Sequence, residues 1–400
     1  MKMIRENFCR DYAAEEYDVI VAGGGIAGVS AALAAARNGA ERVLLIEKQF
    51  SLGGLATLGL VTIYLPLCDG EGHQVTFGQA EELLKLSIVH GAEDRYPDAW
   101  LDGSDPEKRR AQRYEVQYNA SVFSILAEQL LLETGVTILY GTSVCAALTE
   151  GDRITALLLE NKSGRSAVCA DAFIDATGDA DICHLAGEDT VNFTPGNMLA
   201  SWYYRQENGA NHLTMHGYAE APASYLGKSL SDPAPGGSRY SGLDGAELSR
   251  MVINSHKSVL EDLLRRGLKA PDLTSMAAIP QVRMTRRIDG LTTPDEDENA
   301  VYEDSIGIIA NWRRRGPSYE IPFGSLKGRK IRNLLAAGRC TAATDRMWDQ
   351  TRVIPPCALT GEAAGTAAAM TDNFSRIDIP ALQAKLRANG NVLHKAELDL

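Results

Sequence analysis

Residues 17–47 read YDVIVAGGGIAGVSAALAAARNGAERVLLIE, and the rest of the chain can be placed around them. Val19 to Ala22 is an apolar run. It leads into Gly23-x-Gly25-x-x-Gly28, and an alanine-rich segment then extends from Ile26 to Asn38. The order is strand, tight turn, helix. Gly23 permits the turn, Gly25 lets a pyrophosphate approach the backbone, and Gly28 lets helix and strand pack closely, with the phosphates at the helix's positive end. Gly39 ends the helix, and a second strand, Arg42 to Ile46, finishes in Glu47. That carboxylate lies where an acid meets a ribose hydroxyl pair. The pattern predicts a dinucleotide site; the alternative is an α/β turn that holds no ligand.

NAD and FAD folds share this opening, so the choice between them rests on later segments. Ser51-Leu-Gly-Gly-Leu-Ala-Thr57 follows directly, Phe173-Ile-Asp-Ala-Thr-Gly-Asp179 comes much later, and Asn333-Leu-Leu-Ala-Ala-Gly-Arg-Cys340 precedes Gly361-Glu-Ala-Ala-Gly365. With these motifs in this order, the chain from Tyr17 to about Leu393 resembles the FAD-dependent oxidoreductases of the glutathione-reductase-like flavoprotein superfamily. The resemblance implies FAD and an α/β fold: a Rossmann-like FAD-binding domain with an inserted three-stranded antiparallel meander, plus a mixed α+β substrate domain. The expected boundaries are 1–185 and 331–400 for the FAD domain and 186–330 for the substrate domain. Carried over residue by residue, the implied cofactor contacts add Ile26, Ala27, Lys48, Gly53, Gly54, Leu55, Ala56, Thr57, Val144, Ala176, Thr177, Gly178, Asp179, Gly338, Arg339, Thr360 and Gly361 to Gly23, Gly25, Gly28 and Glu47.

A formal net charge of −12 over 400 residues argues against nucleic acid, which needs a basic face. No apolar stretch approaches the length of a membrane span, and no leader precedes Tyr17, so the expectation is a cytoplasmic protein with no membrane partner. Seven cysteines without a C-x-x-C support neither zinc nor a disulfide framework, and no redox-active pair follows Gly54. Cys340 and Cys357 stand in cofactor-facing motifs; the others read as small buried hydrophobes.

Along the chain, Gly78 to His90 reads as a short amphipathic helix, and the polar residues 91–110 as a long loop serving as a lid or an oligomer contact. Asn119 or Ser121 caps a helix through Thr134, with Val122, Ile125, Leu126, Gln129 and Leu130 as its buried stripe, before a third parallel strand, Val136 to Leu139. Ser143 to Ala172 alternates as the meander, and Phe173 to Ala176 is the next parallel strand. Asp179 and Asp181 read as capping and turn residues, with no metal site expected. Met198 to Arg205, Ala278 to Ile288 and Ser305 to Trp312 are strand-like, Gly245 to Arg266 is helical, and Ala221 to Asp244 is an exposed loop. A return strand, Ile331 to Ala337, precedes a helix from Ala358 to about Thr371 that follows Pro355-Pro356. An amphipathic tail, Ile379 to Leu393, packs on the outside. There is no second G-x-G-x-x-G, so no built-in NAD(P)H domain is expected.

In the resembled family the late helix aims its N-terminus at the flavin, where backbone N–H groups of Thr360 and Gly361 would meet the negative charge of the reduced ring. Arg352, just ahead of that helix, matches a position that is commonly arginine. Arg283-Met-Thr-Arg286-Arg287 places Arg283, Thr285 and Arg287 on one face of a strand, a pair of guanidiniums suited to an oxyanion or else a salt-bridged face. The family often carries an acid where Met284 stands. Tyr319 could donate a proton or be an ordinary buried tyrosine. His73 and His216 are weaker candidates for a base, and sequence order suggests no Ser-His-Asp nucleophile. The leading expectation is hydride transfer between flavin N5 and a small polar substrate (a hydroxy or amino acid, a sugar derivative or an activated alkene), with a separate electron donor or acceptor. A flavin monooxygenase and a non-catalytic sensor or scaffold are the alternatives. Homo-oligomerisation is open.

Overall fold

The computed structural model describes Met3 and residues 10–103, 105–217 and 239–398. β1 (Glu15–Ala22), α1 (Ile26–Arg37) and β2 (Val43–Ile46) realise the opening strand, turn and helix. β1 and β2 run parallel, with Val19 opposite Val43 and Ala22 opposite Ile46. α2 (Gln79–Ser87) follows, then α3 (Ala120–Glu133), whose first turn is closed by the Asn119 side chain accepting from Val122 N. The buried face of α3 is Phe123, Ala127 and Leu131, not the expected stripe, and Val122 and Ile125 are exposed. The helix is apolar almost all round, and its aromatic side chain decides which face turns inward.

β3 (Thr137–Leu139) pairs with β2, and the meander is built from β4 (Ser143–Glu150), β5 (Arg153–Asn161) and β6 (Gly164–Asp175). The third meander strand and the following parallel strand are one continuous strand, not two. From Ala167 to Asp175 the chain contains no glycine, proline or asparagine to break it. The first half of β6 is antiparallel to β5, with Asn161 opposite Gly164, and the second half is parallel to β1, with Ala22 opposite Asp175. The sheet order is β3-β2-β1-β6-β5-β4.

Beyond the sheet, β7 (Tyr203–Glu207) and β8 (Ala210–Thr214) form a hairpin that is joined by β9 (Leu273–Met276) and covered by α4 (Gly245–Arg265). Asp244 caps α4 by accepting from Glu247 N. The predicted loop 221–244 falls largely outside the described residues. Residues 278–288 form a strand only in β10 (Arg286–Ile288), so Arg283, Thr285 and Arg287 do not share a strand face. Asn197 is the physical cause. Its Oδ1 accepts from Arg283 N and Met284 N, and its Nδ2 donates to Met284 O, so side-chain bonds stand in for a ladder there. Pro280 removes a further donor.

β11 (Ser305–Ala310) and β12 (Ser318–Pro322) form a buried ribbon. β13 (Leu334–Ala336) returns to pair parallel with β6, one or more residues shorter at each end than expected. α5 (Asp345–Thr351) and α6 (Ile354–Ala368) follow, and α7 (Ile379–Ala388) packs through Leu382 and Leu386. α6 starts four residues earlier than predicted, with Pro355 and Pro356 inside its first turn. There the missing N–H groups would have had no intrahelical acceptor. α6 is buried along its whole length and lies directly on α1. A Cβ on Gly361 would stand 2.2 Å from Ala27 O, and one on Gly365 2.1 Å from Ala31 O.

Residues 91–110 also carry structure of their own, two short helices at Asp98–Leu101 and Pro106–Ala111, with Trp100 stacked on Tyr114 at 5.2 Å. Among the described residues no helix is long and apolar enough to cross a membrane.

Candidate active site

At the carboxyl ends of β1, β2 and β6 the three glycines of the first motif serve different ends. Gly23 has φ +102°, and a Cβ there would lie 2.4 Å from Ala176 O. Gly28 packs against the turn itself, with any Cβ 1.8 Å from Gly23 O, whereas a Cβ on Gly25 would meet nothing within 4 Å. Gly25 therefore opens onto space, as a site for close approach of a phosphate requires. That space is a cavity of about 1270 Å³, larger than the roughly 300–1,000 Å³ common for a single small ligand.

Its wall contains Gly23, Gly25, Ile26, Ala27, Glu47, Lys48, Gly53, Gly54, Leu55, Ala56, Val144, Ala176, Thr177, Gly178, Asp179, Arg283, Arg339 and Arg352, which brings together most of the predicted residues. Gly28, Thr57, Gly338, Thr360, Gly361 and Tyr319 are not on it. The second glycine pair docks on the first turn through Gly53 N to Gly24 O at 2.8 Å. Glu47 is nearly buried, and its carboxylate accepts from Gly24 N at 2.6 Å and Gln49 N at 2.7 Å. It fixes the cradle as well as lining the cavity. Glu47→Arg is expected to release both amides and to lower FAD retention sharply, read as the flavin-to-protein absorbance ratio after gel filtration. An unchanged ratio would remove Glu47 from the cofactor site.

The late helix meets the cavity through Val353, Ile354 and Cys357. Thr360 and Gly361 lie a turn deeper than expected, because α6 begins at Ile354. The Thr360 hydroxyl donates to Pro356 O at 2.8 Å and accepts from Gly338 N at 2.9 Å, while Gly361 faces α1. Thr360 thus braces the turn that carries Arg339, whose guanidinium donates to Val282 O at 2.6 Å and lies 3.7 Å from Asp179. Cys340 is off the cavity; its sulfur accepts from Gly178 N and Ala180 N and so supports the Ala176–Asp179 turn. Burial pushes the Cys357 thiol up to about 12, which makes it a poor nucleophile. Asp179 accepts from Thr285, and Asp181 pairs with Arg286 at 2.7 Å, so both acids serve the protein itself.

Arg352 ends α5. It bonds the fully buried Asp349 (Nη2 to Oδ1, 2.5 Å), and Arg313 bonds the same carboxylate (Nε to Oδ2, 2.5 Å). One carboxylate is shared by two guanidiniums, and both arginines line the cavity beside Trp312, whose indole N–H donates to Asp349 O. Arg283 lies over Trp202 at 5.0 Å. Arg287 lies instead over Trp348 and is not on the wall, so the two arginines do not converge.

Tyr319 is buried in β12, accepts from Asn311 at 2.9 Å, and has its phenol pKa raised by burial; it is away from the cavity. His73 pairs with Asp69 at 2.7 Å, also off the cavity. His216 Nε2 meets Ser258 at 2.8 Å, with Asp262 at 3.8 Å from Nδ1, an arrangement that sequence order hid. It cannot work as a nucleophile triad. Ser258 sits mid-helix, where backbone N–H groups are already used, and Asp262 is held by Tyr203 and Arg266. Arg313, Trp312 and Trp202 carry no sequence signal of their own: a tryptophan within or at the end of a strand-like run reads as core, and Arg313 stands alone just beyond one.

A glycine cradle with a buried acid behind it, on the wall of a large cavity, is the arrangement of a dinucleotide-binding site. Residues 18–198 and 239–386 match the FAD dependent oxidoreductase family, so the chain belongs to that family: it is an oxidoreductase whose cofactor is FAD. The thioredoxin reductase of Ureaplasma parvum serovar 3 is 37% identical over 82 residues, 20% of this chain and 26% of that protein, so the match spans about a quarter of that relative's length. Among solved structures, a geranylgeranyl bacteriochlorophyll reductase-like protein from Thermoplasma acidophilum shares 14% identity across 94% of this chain and 83% of its own, with a TM-score of 0.47. The apo Sdh1 complex of Mycobacterium smegmatis shares 14% identity across 96% of this chain and 71% of its own, also with a TM-score of 0.47.

Proposed function

We propose that the protein moves a hydride between FAD and a small substrate bearing an oxyanion, with Arg352 and Arg283 as the recognising cations. The observation that carries this reading is the Arg352–Asp349–Arg313 group on the wall of the cavity that also holds the glycine cradle. FAD, when bound, supplies a hydride acceptor or donor at N5. In this reading Gly23, Gly25, Glu47, Gly53, Gly54 and the Ala176–Gly178 turn hold it. Asp349 fixes the orientation of the Arg352 fork, so the cation is set before substrate arrives. Arg283, also on the cavity wall, is the second cation that recognises the oxyanion.

The same reading takes in a glutathione-reductase-like arrangement, an FAD unit (1–185 and 331–400) around a substrate unit (186–330), a separate electron donor or acceptor and a cytoplasmic setting. The split FAD unit is supported by β13 returning to β6, and the separate electron partner by the lack of a second dinucleotide motif in the sequence.

Arg352→Lys keeps the charge but loses the planar fork that Asp349 holds. Substrate-driven flavin reduction should fall about ten- to a hundredfold, the value of a charge-assisted contact, while FAD stays bound. Arg283→Ala should act mainly on substrate affinity. Stopped-flow reduction by candidate substrates, with and without oxygen, reads both. A rate within about twofold of wild type for Arg352→Lys would take this arginine away from the chemistry. Oxygen-dependent hydroxylation of the substrate would make the protein a monooxygenase, and no reduction by any substrate would favour a sensor.

A further inference from the structure

The part of the cavity beyond the glycine cradle is unlike a sugar site. Val61 and Leu65 come from the segment after the second glycine pair, Leu248 and Val252 from successive turns of α4, and Ile279 and Val282 from the irregular stretch before β10. Three separate parts of the chain thus present aliphatic side chains to one space. A polyol bound there would leave hydroxyls facing hydrocarbon, each a desolvated group without a partner. Ser249, on the same face of α4, spends its hydroxyl on Gly245 O at 2.8 Å.

The lining is also charged, and part of that charge is met within the protein: Arg352 and Arg313 share Asp349, Arg95 pairs with Glu115 and Arg339 lies 3.7 Å from Asp179. Among the described residues the wall carries six basic side chains and three acidic ones. The three acids are engaged with the protein: Glu47 with two backbone amides, Asp179 with Thr285, and Asp181 with Arg286. Arg283 is held on the wall by its neighbours: its guanidinium lies over the Trp202 ring and its Nη1 donates to Gln281 O at 3.4 Å.

We infer that the substrate is an organic acid with an apolar body, an aliphatic or aryl carboxylate larger than acetate, its carboxylate on the arginines and its body against the Val61, Leu248 and Val252 side. This rests on the reading that the cavity's second occupant is the substrate of the flavin, and it narrows the oxyanion-bearing substrate to one chemical class.

The test is ligand binding to the FAD-loaded full chain, followed by thermal shift and by flavin fluorescence. The probes are octanoate, phenylacetate, acetate, gluconate, 1-octanol and 2-phenylethanol. Octanoate or phenylacetate should bind at least about tenfold more tightly than acetate, gluconate and the matching alcohol. Val252→Asn, or Leu248→Gln if the first variant is poorly folded, should shrink the preference for octanoate over acetate. Arg283→Gln should shrink the preference for acid over alcohol, with FAD content and Tm reporting that each variant is folded. Gluconate or acetate binding as well as the longer acids, an alcohol matching its acid, or no response to either apolar acid would overturn the inference. Thermal shift needs no turnover, so the outcomes separate. Yellow protein that prefers gluconate sinks only the apolar body. Arginine-dependent octanoate binding to protein that octanoate-class substrates never reduce sinks the hydride-transfer reading instead.

Discussion

Gly365→Ala is expected to cost the protein about 3 kcal/mol of stability and to lower its Tm on the order of 3–4 °C, and Gly361→Ala to do nearly the same. Each added methyl would stand 2.1–2.2 Å from a backbone carbonyl oxygen of α1. A side chain could rotate away from such a contact; a backbone oxygen moves only if the whole helix moves. α6 is buried throughout, so it cannot shift outward without disturbing the cavity residues Ile354 and Cys357 at its start. The control is Gly245→Ala, where a Cβ meets nothing within 4 Å. Denaturant unfolding with all three variants separates the two roles considered for Gly361. If it served the flavin as an N–H donor in open space, alanine would leave Tm unchanged, because the N–H would remain.

Glu362, the neighbour of Gly361, should make stability fall as pH rises. Its carboxyl is 1% exposed, one oxygen accepts from Gln79 N at 2.9 Å, and burial pushes its pKa up to about 7. A folded pKa above the unfolded value of about 4.3 means that the folded state favours the proton. The favourable contribution is therefore complete below about pH 4.3, declines as pH rises towards 7, and is absent above that. Glu362→Gln stays neutral throughout. It should match wild type near pH 4 and exceed it by about 3.5–4 kcal/mol near pH 8, the equivalent of the pKa displacement. Unfolding curves at the two pH values decide the matter. A difference between variant and wild type that does not grow with pH would show that the charge on Glu362 is tolerated.

The nucleotide-binding half of the fold was legible because its signals are local. At Gly23 and Gly28 a Cβ would run into backbone, Gly25 opens onto the cavity, and the position of the acid after β2 is fixed by strand length. The substrate half was harder to read for physical reasons. The stretch 278–285 has the composition of a strand, yet Asn197, more than eighty residues earlier, takes its backbone groups and keeps it irregular. Arg283 and Arg287 therefore share no strand face, although their spacing suggests one. The start of α6 was misread because a proline pair is as compatible with the first turn of a helix as with the loop before it. Tyr319 looked available for chemistry, but nothing local in the sequence tells a buried ribbon from a cavity wall. The apolar part of the cavity wall was also invisible, since the side of α4 that lines the cavity and the side that covers β7 and β8 both carry aliphatic residues.

The continuous strand β6 has a consequence for how the protein is made. Its second half needs β1, about 150 positions earlier, on one edge and β13, about 160 positions later, on the other. While the ribosome is still short of Leu334, that central strand has a bare edge, the kind of edge that recruits other chains. The cavity is equally unfinished at that stage, since Arg339, Arg352 and Ile354 have yet to emerge. Cofactor capture therefore belongs after synthesis is nearly complete. Nascent chains stalled before β13 should bind chaperones and not flavin.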